Sequence, residues 1–109
     1  MGMEVNRFEV VLVKLEPPKG SEIKKTRPCL IVSPNEINHH LRTLIVAPVT
    51  SQGREYPTRI VCTFQCKTGQ IVLDQMRTID RDRIVKRLGI VDAKTNRMVV
   101  ARLAELFAA

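Results

Sequence analysis

Residues 9–32 read EVVLVKLEPPKGSEIKKTRPCLIV, two aliphatic stretches separated by a loop that can extend neither of them. Glu9 to Leu15 and Pro28 to Val32 are too short for stable helices and rich in the β-branched residues that suit extended chain. Between them Pro17 and Pro18 lack backbone donors and Gly20 admits unusual dihedral angles, so the segment around Glu16 to Glu22 must turn. A strand, a loop and a second strand of this kind begin an antiparallel sheet.

The same punctuation continues along the chain. Leu44 to Val49, Arg59 to Thr63, Gln70 to Met76 and Arg87 to Val91 are further strand candidates, divided by Pro, Gly, Asn and Ser. Asn35, Asn38, His39 and His40 read as a polar loop, with no carboxylate at metal-ligand spacing. Asp80 can cap a short helical turn through Arg81, Asp82, Arg83, Ile84 and Val85. Asp92 can cap a longer helix whose apolar positions Val99, Val100, Leu103, Leu106 and Phe107 predict one buried stripe. The expected architecture is mainly β (α+β), a strongly bent antiparallel sheet with a C-terminal helix packed on it, with residues 1–109 as a single domain.

Composition narrows the function. Eighteen Lys and Arg against eleven Asp and Glu give a net charge of +7, which favours a polyanionic partner. Aromatic residues make up only 4% and Trp is missing, so a platform of stacked rings for nucleic-acid bases is not expected. Cys29, Cys62 and Cys66 are odd in number and lack a partner pair or a His at zinc spacing, so neither a structural zinc nor another metal site is expected. The start of the chain has no basic head before an apolar stretch, and no run approaches a bilayer's thickness, which predicts a soluble, cytoplasmic protein with no membrane partner.

Gly20-Ser21-Glu22-Ile23-Lys24-Lys25-Thr26-Arg27-Pro28, followed by Cys29-Leu30-Ile31-Val32-Ser33-Pro34-Asn35, resembles the MazF/PemK family of toxin ribonucleases. Arg7-Phe8-Glu9-Val10-Val11, Ala47-Pro48-Val49-Thr50-Ser51 and Leu73-Asp74-Gln75-Met76-Arg77-Thr78-Ile79-Asp80 follow in the family's order, so the resemblance spans nearly the whole chain. It implies a small SH3-like barrel of the CcdB/MazF type, a homodimer, cleavage of single-stranded messenger RNA without a cofactor, and neutralisation by an acidic antitoxin peptide. The family's active pair carries over onto Arg27 and Thr50, with Ser51 beside Thr50 as in PemK-like members. Two positions depart from those members: the catalytic Arg that some carry before the Asp-Gln pair is Val72 here, and the His before the loop Glu is Ser21. Both departures place the chemistry on Arg27.

The residues themselves suit that chemistry. Metal-free RNA cleavage needs the 2′-hydroxyl to attack the adjacent phosphorus, so charge must be stabilised on the phosphoryl oxygens. Arg27 offers a planar fork for two such oxygens, and Pro28 biases it towards an extended conformation. Thr50 can donate a hydroxyl hydrogen bond from a strand end, and Glu22 can orient Arg27 or accept the 2′-hydroxyl proton. The catalytic candidates are therefore Arg27, Thr50 and Glu22, and the RNA-binding candidates Ser51, Asp74, Gln75, Arg77, Arg54 and Tyr56. Arg42, Arg59 and Lys67 are additional candidates for the RNA backbone, and Tyr56 can stack on one base. Outside the family, an Arg before a Pro is an ordinary surface charge and a Thr at a strand end an ordinary strand former. Two other readings stay open at this level: a CcdB-like toxin that binds DNA gyrase and cuts nothing, and a silent nucleic-acid-binding domain.

Overall fold

The computed structural model describes residues 4–14, 26–51, 59–65 and 67–108. Seven strands form one sheet: β1 Glu9–Lys14, β2 Thr26–Ile31, β3 Thr43–Thr50, β4 Arg59–Phe64, β5 Lys67–Val72, β6 Arg77–Asp80 and β7 Ile84–Ile90. Helix α1 covers Asn35–His40 and helix α2 Ala93–Leu106. The antiparallel order is β4-β5-β3-β2-β1-β7, with β6 also paired to β3.

β3 is the hinge of this sheet, because it pairs three strands. One edge meets β2 through Val46 to Pro48. The other edge meets β6 through Thr43 to Val46 and β5 through Val49 and Thr50. β5 and β6 are thus successive runs along the same edge, separated by a 3-10 turn at Leu73–Gln75. A single strand from Gln70 to Met76 was the expectation from sequence. The chain instead breaks where Leu73 plunges into the core and the backbone N–H of Met76 closes on its carbonyl. Irregular pairing between β1 and β7, near Val10/Val11 and Leu12/Val13, adds curvature, and Gly89 with φ 156° lies in that stretch.

Side-chain parity divides the interior into two cores. Val10, Leu30, Ala47, Val49, Ile60, Ile71 and Leu73 face α2, where Val99 joins them and Leu103 packs alongside. Val11, Val13, Cys29, Ile31, Leu44, Val46, Ile79 and Ile84 fill the other face. Both faces of β1 to β3 are buried, which explains the unbroken Val-Val-Leu-Val and Cys-Leu-Ile-Val runs where a half-exposed strand would alternate.

The helices correct two expectations. Residues 35–40 are not a loop but α1, held by polar contacts: the Ser33 hydroxyl donates to Asn38 Oδ1 at 2.5 Å, and Asn38 Nδ2 donates to the Ser33 carbonyl at 2.8 Å. The α2 cap is as expected, with Asp92 Oδ1 accepting from the Thr95 amide at 2.7 Å. Its buried stripe is narrower than expected, since Val100 is 46% exposed and Phe107 71% exposed. The burying positions are Thr95, Val99 and Leu103, each four residues apart, and Val100 lies a quarter-turn off that line. The turn expected after Asp80 is a 3-10 turn at Arg81–Arg83, in which the Asp80 carboxylate accepts from the Asp82 amide, and Ile84 already belongs to β7. No helix among the described residues is long and apolar enough to cross a membrane.

Candidate active site

The β2–β3 ladder pairs Cys29 with Pro48, and two further steps along each strand bring Arg27 opposite Thr50. Residues on alternate positions share a face. Arg27 and Cys29 on β2, Val46, Pro48 and Thr50 on β3, and Arg77 and Ile79 on β6 therefore project to one side. Together with Gln75 from the 3-10 turn they line a cleft of about 330 Å³, at the lower end of the range for small-ligand sites. Its floor is apolar, made by Cys29, Val46 and Ile79, and its rim carries Arg27, Thr50, Gln75 and Arg77.

Among the described residues, two guanidinium groups and no carboxylate line this cleft. The thiol of Cys29 registers both. Burial pushes it up to about 12, while the charges of Arg27 and Arg77 pull in the opposite direction. Both cations therefore act on the cleft floor, and the cleft suits an anion.

A second cleft, of about 340 Å³, opens on the other side of the Arg27–Thr50 pair. Thr26, Pro28, Val49, Ser51, Thr68 and Gly69 complete it, so hydroxyl groups and the bare backbone of Gly69 line it beside the apolar Pro28 and Val49. Arg27 and Thr50 belong to both clefts, and an extended chain lying across them would have its middle at this pair.

The remaining expected site residues fall in different places. Ser51, Gln75 and Arg77 line one or other cleft. Asp74 lines neither. Its carboxylate stands 3.7 Å from Arg59 Nε, and Arg59 is only 17% exposed, so this pair ties β4 to the turn that carries Gln75. Arg59 also lies opposite Val72, a core residue, in the β4–β5 ladder. Arg42 pairs with Asp80 at 3.2 Å and Asp82 at 3.4 Å and lines neither cleft. His39 and His40 are exposed on α1. Glu22, Arg54 and Tyr56 lie outside the described residues, as does the side chain of Lys67.

Sequence reasoning missed Thr26, Cys29, Val46, Pro48, Thr68, Gly69 and Ile79 as cleft residues. Counting by twos from Arg27 and Thr50 finds Cys29, Pro48 and Val46. Ile79 and Gly69 need the pairings of β6 and β5 with β3. Among the described residues no group of three or more His, Cys, Asp or Glu is placed to hold a metal ion.

The fold and the cleft together define a small, curled β protein with a cleft at the end of one strand whose rim carries two guanidinium groups. Residues 6–107 match the family model described as PemK-like, MazF-like toxin of type II toxin-antitoxin system. The chain is 36% identical over 109 residues to the endoribonuclease PemK of Escherichia coli, covering 94% of this chain and 82% of that one. It is 28% identical over 96 residues to the endoribonuclease toxin MazF of Escherichia coli K12, covering 87% of this chain and 86% of that one. Among solved structures, MazF from Deinococcus radiodurans superposes with a TM-score of 0.80 at 25% identity, over 98% of this chain and 99% of that one. A mycobacterial endoribonuclease in complex with its cognate antitoxin superposes with a TM-score of 0.78 at 26% identity, over 93% and 92%. The chain belongs to the PemK-like, MazF-like family of endoribonuclease toxins.

Proposed function

We propose that this protein cuts single-stranded messenger RNA at short sequences, without a metal ion, at the line where the two clefts meet. The observation that carries the reading is the convergence of Arg27, Arg77 and the Thr50 side chain on one apolar-floored cleft. In this reading the 2′-hydroxyl gives up its proton to a base, Glu22 or solvent, as its oxygen bonds to the adjacent phosphorus. The bond from phosphorus to the 5′-oxygen breaks, and the 5′-oxygen takes up a proton from solvent, so the reaction is neutral in protons. The products are a 2′,3′-cyclic phosphate and a 5′-hydroxyl end. Arg27 holds the phosphoryl oxygens with its fork and Arg77 adds a second positive charge. Thr50 donates to a phosphoryl oxygen, and Glu22 orients Arg27 or accepts the 2′-hydroxyl proton. Gln75 and Ser51 offer hydrogen bonds to base edges and sugar on either side, with Arg54 and Tyr56 as further RNA contacts and Asp74 holding the Gln75 turn.

The protein acts here as the toxin of a toxin–antitoxin pair and as a homodimer. The antitoxin is an acidic peptide that lies across the basic clefts and orders as it binds, in keeping with the antitoxin complex of the mycobacterial relative. The test is incubation of purified protein with a long defined RNA in EDTA, followed by mapping of the new ends. New 5′-hydroxyl ends at a recurring short sequence are expected. An intact RNA would overturn the reading in favour of a gyrase poison or a silent binder, and activity restored only by added metal would overturn the mechanism.

A further inference from the structure

Gly69 is buried in β5, where the β3–β5 ladder consists of Val49 with Ile71 and Thr50 with Gln70. One step beyond that pair, Gly69 brings bare backbone against the end of β3. A Cβ built on it would lie 2.9 Å from the Thr50 carbonyl oxygen and 3.0 Å from Val49 Cγ1. The first contact is with backbone, which no rotamer change can relieve. Among the described residues only Gly89 is a glycine in the positive-φ region, so Gly69 is required by space and not by conformation.

From this contact we infer that Gly69 is a positioning residue for Thr50: the missing side chain lets β5 close on the Thr50 peptide and thereby sets the Thr50 hydroxyl beside Arg27. The inference rests on the proposed nuclease reading. Thr50 is the last residue of β3, and its ladder partner on β5 is Gln70, the neighbour of Gly69. On one edge the β2 pairing ends before Thr50 in regular ladder positions, and on the other β5 holds it. An added methyl at position 69 would push the Thr50 peptide away from β5 and move the hydroxyl relative to the phosphate, whereas the phosphate grip of Arg27 and Arg77 would persist. Loss should therefore appear in kcat and not in KM, because misplacement of a reacting group by about 1 Å costs up to roughly a hundredfold in rate.

The experiment compares the parent, Gly69→Ala, Thr50→Ala and the double variant on one defined oligoribonucleotide in EDTA, with thermal melts and gel filtration as checks of folding. Gly69→Ala is expected to lower kcat by about tenfold to a hundredfold while KM stays within about threefold. In the Thr50→Ala background the same substitution is expected to change kcat by less than about threefold, because the group it displaces is gone. A Gly69→Ala variant with the parent's kcat, or effects that multiply in the double variant, would overturn the inference and leave the nuclease reading standing. A Thr50→Ala variant that cuts like the parent would remove the Thr50 assignment and the inference together. Should Gly69→Ala melt low, kcat per folded molecule is read at reduced temperature, with the folded fraction taken from the melt, for parent and variant alike. A parent-like kcat per folded molecule would refute the role.

Discussion

Replacing Arg27 by Ala removes one of the two guanidinium groups that the described residues bring to the cleft and almost nothing from the fold. The side chain is exposed at the start of β2, so the stability change should stay within about 0.5 kcal/mol. The catalytic loss can be estimated from charge. Two unit charges about 4 Å apart in an effective dielectric of about 20 interact by about 4 kcal/mol. Arg27 is exposed to water and Arg77 remains, so the loss from the transition state should be nearer 3 kcal/mol, a typical cost for deleting one such donor. That corresponds to roughly a hundredfold in kcat. Arg27→Lys keeps the charge but not the fork, and should fall between the parent and the Ala variant. The assay is single-turnover cleavage of an end-labelled oligoribonucleotide in EDTA, with thermal melts run in parallel. Cleavage by a normally folded Arg27→Ala at the parent's rate would show that the phosphate is held elsewhere.

Three other outcomes follow from the same geometry. Arg77→Ala should weaken RNA binding, and in a titration over salt concentration it should reduce the slope of log K against log[salt] by roughly 0.7, the share of one phosphate contact on a single strand; an unchanged slope would remove Arg77 from the groove. Cys29, with its thiol pushed up to about 12 by burial, should resist thiol reagents at pH 8 in the native protein and react once urea unfolds it. Because the folded value is raised, the neutral thiol favours the native state, and this contribution should be in place below the unfolded value of about 8.5 and lost as pH climbs towards the folded one. Alkaline melts of Cys29→Ala should therefore decline less steeply than the parent's. Leu30→Ala empties a fully buried site on the face opposite the cleft and should cost about 3 kcal/mol in urea unfolding, with kcat per folded molecule retained.

Much of this architecture is legible in the residues because hydrophobic runs mark strands wherever a core lies beside them. β1, β2 and β3 stand out for that reason. β6 does not, since Arg77-Thr78-Ile79-Asp80 offers one buried residue, Ile79, and three polar ones. Helix α1 is equally silent, because what holds it is Asn38 buried against Ser33 and not an apolar stripe. The terminal helix errs in the other direction: Val100 and Phe107 are apolar and in phase enough to suggest burial, yet only the face centred on Val99 meets the sheet. Apolar spacing proposes a stripe, and the width of the surface it meets decides how much of that stripe is covered.

For the candidate site, residue types are legible in the sequence and their geometry is not. Arg27, Thr50, Ser51, Gln75 and Arg77 can be chosen by residue type and motif, because fork, hydroxyl and amide are what a phosphate and a base require. Nothing in that choice brings them together. Their meeting depends on the β2–β3 register, which sets Arg27 opposite Thr50, and on the break at Leu73–Gln75, which turns the chain so that β5 braces Thr50 and β6 delivers Arg77 along the same edge of β3. A one-residue slip in either pairing would send Arg27 or Arg77 to the face covered by α2. The two apolar cores on opposite faces oppose such a slip, since it would expose one and overfill the other. The packing that appears remote from the chemistry is therefore what fixes the direction of both guanidinium groups.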